Sequence, residues 1–373
     1  MTYWVDRTAS LKPGQPVTHA LVIGVSAYDH LPGGPLTFGL KSLSSTAAGA
    51  HRFAVWLRDH YHNPRAPLAT IRLLLSPTAE GEPADREHVR NAVLGWQEDN
   101  SRNSSGTSFL YAAGHGVMLS HEDSLVLLQD FAKDRMVLDY SLDIGSVYHG
   151  MAGDQFPQSQ VYFVDACRLR PEVFARFANL GTGVGLPSPF AAADRRSSSV
   201  YFSAAPGTLA YGRRDGEGTI FSAALLDCLG GLAVEAAGAG EFHVTGASLL
   251  RTLQEQVNSR ARQYNAEQYV TGGGTGLSHV VHYFEKPPAF PYAIWLDPDH
   301  ARPFVRAEIW DGDRNGLLAD GRFEPNPASW DLPAGLHSLD VIVKPGDNRF
   351  RTRSGVALLV DGRQARPKVV SVE

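Results

Sequence analysis

The chain has 373 residues, of which 43% are hydrophobic and 20% charged, and its net charge at pH 7 is -5. This composition is typical of a soluble globular protein long enough for two domains, and it lacks the basic excess that favours nucleic-acid binding. No stretch approaches the roughly 18 consecutive apolar residues of a membrane helix, and the N-terminus has no signal-peptide pattern. We therefore expect a cytoplasmic protein with no membrane contact and no nucleic-acid partner.

Cysteine and histidine usage limits the chemistry further. The chain has two cysteines, Cys167 and Cys228, which excludes a disulfide framework and a four-cysteine metal site. Cys228 lies at core spacing in an apolar helical run, so we expect it to be packed in the interior. The histidines do not stand at metal-ligand spacing, and no acidic loop of the EF-hand type is present. We expect neither a metal nor another cofactor.

Over the first two-thirds of the chain, apolar runs typical of buried strands alternate with segments of helical periodicity. This alternation predicts an α/β fold with a mainly parallel sheet covered by helices on both faces. The predicted strands are His19–Val25, Ala69–Leu75, Thr107–Ala113, Val161–Val164, Ser199–Ser203 and Ser278–Phe284. The predicted helices are Ser45–His60, a segment that Asp85 caps at its N-terminus, Thr219–Leu232 and Ala247–Tyr264.

The pattern changes after Pro287 and Pro288, which are typical of a linker. Short runs of period two follow, separated by turn sequences such as DGDRNG and KPGDN, and they predict a small all-β, sandwich-like domain. The predicted strands are Val305–Trp310, Ser338–Val343, Val356–Val360 and Lys368–Val372. We therefore divide the chain into an N-terminal domain, residues 1–285, and a C-terminal domain, residues 286–373.

A Gly-, Pro- and Ser-rich stretch around residues 181–199 predicts a long loop inside the first domain. Loops of this length in a compact domain are usually functional or disordered, so this one is a candidate for cleavage or rearrangement during activation. Arg195 and Arg196 are the natural positions for such a cut if it follows a basic residue.

Two residues at the ends of predicted strands carry the main functional signal. His115, flanked by Gly114 and Gly116, follows one apolar strand, and Cys167 follows another. Ligands of open α/β sheets bind outside the carboxyl ends of the strands, which is where both residues fall. A thiolate that attacks a peptide carbonyl and an imidazole that handles the proton would form a peptidase centre. The amides of Gly116 and Cys167 are the candidate oxyanion donors.

Each of these residues has an ordinary interpretation when it is taken alone. A cysteine at a strand end is usually a small buried hydrophobe, and a histidine between glycines is often a turn residue. The pair is less ordinary because both residues follow an apolar strand that ends in small residues. They lie 52 positions apart (167 minus 115), close to the interval of roughly 50 between histidine and cysteine in caspases.

Several segments resemble caspase-like cysteine peptidases, the clan of caspases, paracaspases and metacaspases. The likeness covers about residues 17–285 and is carried by HALVIGVSAYD, SFLYAAGHG, VYFVDACR, YFSAAPGTLAYG and GTIFSAALLDCL. It implies a caspase-like fold and a cysteine endopeptidase that forms a thioester intermediate. Within it, Cys167 is the nucleophile and His115 the general acid and base, and no third acidic residue is required.

Around the cysteine the sequence reads Asp165, Ala166, Cys167, Arg168, which is nearer the Asp-x-Cys form of metacaspases and paracaspases than the Gln-Ala-Cys-Arg-Gly of animal caspases. In those relatives the residue two before the nucleophile helps to form an acidic S1 pocket for Arg or Lys. Asp165 would supply one carboxylate, whereas Gly49 and Gly212 stand where relatives have further acids. A basic P1 residue is therefore one hypothesis, and a neutral or hydrophobic P1 is its rival.

The resemblance also indicates a backbone site for substrate. Ser203, Ala204 and Ala205 end a predicted strand where relatives pair with substrate as an added β-strand. The alternative is an edge strand blunted by Pro206, with no role in binding. We carry both interpretations forward.

By resemblance alone, the biological role would be regulated proteolysis of protein substrates, such as antiviral defence or cell death, in a bacterium, which the abundance of Arg, Ala and Gly favours. The C-terminal domain is then a candidate sensor or docking module for a small ligand or partner protein. Trp295, Trp310 and Trp330 are its aromatic candidates, although Trp in a sandwich is commonly a core residue. The alternative function is a pseudo-enzyme, a caspase-like scaffold that only binds partners.

Overall fold

The structure is a computed structural model that describes residues 2–31, 38–78, 80–118, 124–169, 183–188, 194–236, 241–364 and 366–372. The chain packs as two compact units, the first formed by Met1–Cys228 with Thr245–Tyr283 and the second by Leu229–Val244 with Phe284–Glu373. The second unit thus includes Leu229–Val244, a segment that the sequence analysis gives to the N-terminal domain. The division at residue 286 stays a prediction.

The first unit is built on an eight-stranded sheet. Seven strands follow the order β1-β3-β2-β5-β9-β10-β13, and the eighth, β4, pairs with β3. Strands β2, β3, β5, β9 and β10 run parallel, and the two edge strands β1 and β13 are antiparallel to their neighbours. The strands are β1 (Val5–Asp6), β2 (Thr18–Val25), β3 (Leu68–Ser76), β4 (Glu82–Pro83), β5 (Thr107–Gly114), β9 (Ser159–Ala166), β10 (Ser197–Phe202) and β13 (Thr271–Gly273).

The described part of this unit has five α-helices: α1 (Thr46–Asp59), α2 (Arg86–Asn100), α3 (Ile144–Gly150), α4 (Ile220–Asp227) and α5 (Gly246–Gln263). Asp85 caps α2 as predicted, since its carboxylate accepts the His88 amide at 2.9 Å. Thr219 and Thr245 open α4 and α5 with capping boxes. Helix α3 was not predicted because its seven residues are too few to show a helical repeat of apolar side chains.

Alternate residues of the central strands pack against helices on opposite faces of the sheet, as the period of two requires. On one face Phe53 of α1 stacks on Tyr111 with ring centroids 4.9 Å apart. On the other face Trp96 of α2 shares a core with Leu110 and Ala112 of the same strand β5. The sheet is thus buried on both sides, which confirms the predicted α/β layers and explains why its strands are continuous apolar runs.

Smaller strands complete the fold. A second sheet of β6 (Gly116–Met118), β7 (Ser124–Leu127) and β8 (Ser141–Asp143) follows β5 directly. The remaining short strands are β11 (Glu235–Ala236), β12 (Phe242–Thr245) and β14 (Val280–Phe284). None of the helices in the described ranges has the length and apolar character that crossing a membrane requires.

The second unit contains two sheets with the orders β18-β15-β21 and β17-β16-β19-β20. Their strands are β15 (Ala289–Asp297), β16 (Val305–Asp311), β17 (Leu317–Gly321), β18 (Ala328–Pro333), β19 (Gly335–Val343), β20 (Arg353–Val360) and β21 (Lys368–Ser371). Ile294 and Leu296 from one sheet and Ile309 and Leu339 from the other belong to one buried core. This confirms the all-β prediction, although β15, β17 and β18 were not predicted because Pro-rich and turn-like sequence surrounds them.

Candidate active site

The register of the central sheet sets His115 and Cys167 side by side. Strands β5 and β9 are parallel neighbours, and their last residues, Gly114 and Ala166, are paired. His115 and Cys167 are therefore the first residues after the two strands. Beyond them the two segments meet again, because the Met118 amide donates to the Leu169 carbonyl at 2.8 Å. The predicted pair therefore leaves the sheet at the same level, on adjacent segments.

Gly116 is required by this close approach. A Cβ at position 116 would stand 2.0 Å from the Cys167 carbonyl oxygen and 2.8 Å from the Ala166 Cβ. No side chain fits there without separating the two segments. The glycine after the histidine thus lets the backbone of the histidine segment lie against the backbone of the cysteine.

Two contacts fix the orientation of His115. Its Nε2 lies 2.6 Å from the Lys41 carbonyl oxygen, and its backbone amide donates to the Tyr28 phenol oxygen at 2.8 Å. A carbonyl only accepts, so Nε2 carries the proton and the neutral ring has an unprotonated Nδ1. Burial lowers the pKa of His115, while the Lys41 carbonyl opposes that shift. The imidazole is therefore a neutral base at neutral pH.

Cys167 is partly exposed, and its sulfur contacts the backbone of Ala210. The Ala210 amide donates to Sγ at 3.3 Å, and the thiol lies 3.7 Å from the Ala210 carbonyl oxygen. Burial raises the pKa of Cys167, and the nearby Asp165 raises it further, whereas the Ala210 amide lowers it. With a raised thiol pKa and a lowered imidazole pKa, the resting pair is neutral, and a thiol in this state becomes a nucleophile only after it loses its proton to a base.

The two side chains open into one cavity of about 220 Å³. Its walls are mostly apolar, and it contains the predicted residues His115, Gly116, Asp165 and Cys167 together. The other described lining residues are Leu40, Leu43, Ser45, Thr46, Gly114, Val117, Ala166, Leu169, Leu209, Ala210, Tyr211, Gly212 and Thr219.

Asp165 is the one acidic residue among these described lining residues, and its side chain is only 1% exposed. Its Oδ2 accepts the hydroxyls of Tyr111 at 2.9 Å and Thr219 at 2.5 Å, while Oδ1 has no hydrogen-bond partner. Burial raises the pKa of Asp165 to about 6, although the hydroxyls of Thr219, Tyr111 and Ser203 oppose the shift. The site therefore holds a buried carboxyl whose Oδ1 accepts no hydrogen bond.

The places of the further acids in relatives are occupied tightly here. A Cβ at Gly49 would meet the Ser222 Oγ at 2.7 Å, and a Cβ at Gly212 would meet the Ser45 Oγ at 2.4 Å. Both glycines are therefore packed against hydroxyls. Any acidic character of the cavity comes from Asp165.

The predicted substrate-binding residues at the end of β10 are not among the residues that line this cavity. Ser203 and Ala204 are fully buried, and neither they nor Ala205 line it. The lining instead includes Leu209–Gly212, a few residues further along the same segment. Sequence reasoning singled out Gly212 but missed Leu209–Tyr211 and the Lys41 carbonyl; Ala210 and Lys41 act through backbone atoms, which leave no side-chain signal.

Other singled-out residues have structural surroundings. Cys228 is fully buried, as predicted. Arg196 is 6% exposed and paired with Asp194, whereas Arg195 is exposed. Residues 181, 182 and 189–193 of the predicted loop lie outside the described residues. Within the described ranges no three His, Cys, Asp or Glu side chains converge as metal ligands do.

Comparison with known proteins adds a family. The sequence profile of the caspase domain matches residues 17–271. Caspase-1 from Spodoptera frugiperda is similar in structure at 15% identity, with a TM-score of 0.45, over 74% of this chain and 95% of the caspase. A structural-genomics protein from Geobacter sulfurreducens is similar at 15% identity and a TM-score of 0.43, over 71% and 95% of the two chains. No curated protein matches. The profile spans well over half of the chain, which therefore belongs to the caspase domain family.

Proposed function

We propose that this protein is a cysteine endopeptidase that cleaves protein substrates through a thioester on Cys167, with His115 as general acid and base. The observation that carries the proposal is the register of β5 and β9, which releases His115 and Cys167 at the same level beside one cavity. A scaffold without turnover, the alternative function, needs neither an unprotonated Nδ1 nor a partly exposed thiol at this place.

In the proposed reaction, His115 Nδ1 takes the proton of the Cys167 thiol as Sγ attacks the carbonyl carbon of the scissile bond. The tetrahedral intermediate then collapses, the C–N bond breaks, and the imidazolium returns the proton to the leaving amine. Water, deprotonated by His115, attacks the resulting thioester and releases the second product and the thiol. The hydrogen bond to Lys41 keeps the proton on Nε2 throughout.

The amides of Gly116 and Cys167 are the proposed donors to the oxyanion. The Leu127 amide donates to the His115 carbonyl at 2.9 Å, so Gly116 and Val126 form the antiparallel pair that exchanges no hydrogen bonds. The Gly116 amide points away from β7, to the same side as the Met118 amide, which reaches the Leu169 carbonyl. That is the side on which Cys167 lies.

Asp165 supports a basic P1 residue as the preferred substrate feature. The apolar walls suit the methylene stem of Lys or Arg, and Asp165, the one acidic residue among the described lining residues, would supply a carboxylate for its charged head. A neutral P1 residue is the rival hypothesis, since a single carboxyl that is protonated can lie beside an apolar side chain. A fluorogenic peptide panel in which Arg and Lys substrates rank no higher than Leu or Ala would decide for the rival.

The broader parts of the proposal concern biology. Regulated proteolysis in bacterial defence or cell death comes from resemblance, and the sensor role of residues 286–373 comes from their all-β fold and the 40% exposed Trp295. If the purified full chain cleaves peptides at full rate without any addition, an obligatory activating ligand or partner is excluded.

Covalent capture tests the proposed chemistry. A peptidyl acyloxymethyl ketone is incubated with the full chain, and the modified residue is located by mass spectrometry. We expect an adduct on Cys167 alone, formed much more slowly by His115→Ala, with the buried Cys228 as the internal control. The proposal would be contradicted if Cys167 were labelled equally in native and in denatured protein. Equal labelling rates in wild type and His115→Ala would also contradict it.

A further inference from the structure

Tyr28 lies directly against His115, three positions after the end of β2. Its side chain is only 2% exposed, its phenol oxygen accepts the His115 amide at 2.8 Å, and its ring lies 5.1 Å from the imidazole ring, centroid to centroid. Nothing in the sequence analysis singles this residue out. It contacts both the backbone and the ring of the proposed base.

The Tyr28 phenol accepts the backbone amide of His115, which has no hydrogen bond to a neighbouring strand. His115 is the first residue after β5, and its amide donates to the phenol instead of to a neighbouring strand. A buried amide without a partner would be costly, so the phenol determines where the backbone of His115 can lie. Gly114 leaves room for this contact, because a Cβ there would stand 3.0 Å from the phenol oxygen.

A second restraint on the same histidine comes from the same connection between β2 and α1. Lys41, in that connection, accepts Nε2 through its carbonyl, and the Leu43 amide ties the connection to the Ser26 carbonyl at 2.7 Å. Tyr28 thus holds the backbone and one face of the ring, while Lys41 holds the far nitrogen. With three contacts made, the ring has little freedom to turn away from Cys167.

We propose that Tyr28 is a positioning residue that aims the His115 imidazole at Cys167. The role rests on the proposed function, since it matters for turnover only if His115 is the base. The phenol suits it chemically, because burial raises the pKa of Tyr28 well above its usual value and keeps the group neutral. The proximity of Cys167 raises that pKa further, so a thiolate does not ionise the phenol.

The test compares Tyr28→Phe with Tyr201→Phe in the full chain. Tyr201 is equally buried and also bonds a backbone group, since its hydroxyl donates to the Gly246 carbonyl at 2.9 Å, but none of its hydrogen bonds or ring contacts in the described residues is with His115. We expect Tyr28→Phe to lower kcat roughly 10- to 100-fold with KM unchanged, as small displacements of a catalytic group do. Tyr201→Phe should leave kcat unchanged. Equal kcat in Tyr28→Phe and wild type, or an equal loss in both variants, overturns the proposal.

A measurement independent of turnover separates this inference from the proposed function. The rate of Cys167 alkylation by iodoacetamide, located by mass spectrometry, is followed against pH in wild type, His115→Ala and Tyr28→Phe. We expect the Tyr28→Phe profile to move from that of the wild type towards that of His115→Ala. If the wild type cleaves no peptide, the proposed function fails, yet this shift would still establish the positioning role. A Tyr28→Phe profile identical to the wild type overturns it.

If Tyr28→Phe does not fold, Gly114→Ala provides a second route. The added methyl group would stand 3.0 Å from the Tyr28 phenol oxygen, so the phenol would have to shift. The side chains of Tyr28 and His115 would both be kept. A fall in kcat and the same shift of the alkylation profile support the proposal, and an unchanged profile in the folded variant contradicts it.

Discussion

At the scale of single residues, Asp165 shows a conflict between folding and the proposed substrate binding. A carboxyl with 1% exposure and one unpaired oxygen loses the hydration that its charged form needs, so its pKa rises to about 6. Above that pH the folded protein carries a buried charge that a basic P1 side chain would neutralise. Such a cost is common where a group is kept for function.

The first prediction is that Asp165→Asn stabilises the protein at pH 8. The folded pKa, about 6, exceeds the ordinary value of 3.8, so the stability linked to the neutral carboxyl is complete below pH 3.8 and is lost as the pH rises through 6. Two pKa units correspond to about 3 kcal/mol, which is an upper limit for the gain. Calorimetry from pH 3.5 to 8 measures it; a variant less stable than the wild type at pH 8 contradicts the account. The same variant should lose any preference for Arg and Lys.

The second prediction concerns the pH dependence of turnover. The proposed base must be neutral, and burial lowers the pKa of His115, so kcat/KM should rise with pH through a value below 6.5 and be lost as the pH falls through it. Initial rates with a neutral-P1 peptide isolate this limb from the titration of Asp165. An acid limb centred above 6.5 would mean that His115 is not the base or is held differently.

At the scale of elements, the site depends on two adjacent parallel strands that end together. The sequence was sufficient to predict both strands and their ends, because β5 and β9 are uninterrupted apolar runs, as strands of buried parallel sheets usually are. It was insufficient for the walls of the cavity. Ala210 and Lys41 act through backbone atoms, and Tyr28 meets His115 by accepting its backbone amide across a large sequence separation.

The third prediction is that Gly116→Ala abolishes activity. The added Cβ would stand 2.0 Å from the Cys167 carbonyl oxygen, so the segments that carry the pair must separate and the reacting groups lose their alignment. We expect kcat to fall at least about 100-fold. Gly273→Ala is the matched control, since its Cβ meets nothing within 4 Å. Comparable kcat values for the two variants would show that the close approach is unimportant.

At the scale of the whole molecule, the first unit buries histidines that must stay neutral. His19 and His282 are 5% and 4% exposed, and burial lowers their pKa values from 6.5 to about 4 and about 3. His282 packs against Trp56 at 5.1 Å, and His19 bonds Thr70 at 2.8 Å. At these two histidines the folded protein therefore binds fewer protons than the unfolded chain below pH 6.5.

The fourth prediction follows from these histidines. Their contribution to stability is complete above pH 6.5 and is lost as the pH falls towards 4, so Tm should decline across this range. His282→Gln should weaken the decline, whereas replacing the exposed His300 should leave it unchanged. Calorimetric scans at half-unit pH steps measure the slopes. Identical slopes for wild type and His282→Gln would contradict the account.

The central claim is that Cys167 and His115 cleave peptide bonds. Its most direct test is incubation of the purified full chain with an unbiased peptide library, followed by mass spectrometry of the products, with Cys167→Ala as the matched control. The account predicts cuts that occur only with the wild type, with Arg or Lys before the cut enriched above pH 6. A library left intact by the wild type, or cut equally by Cys167→Ala, would contradict it.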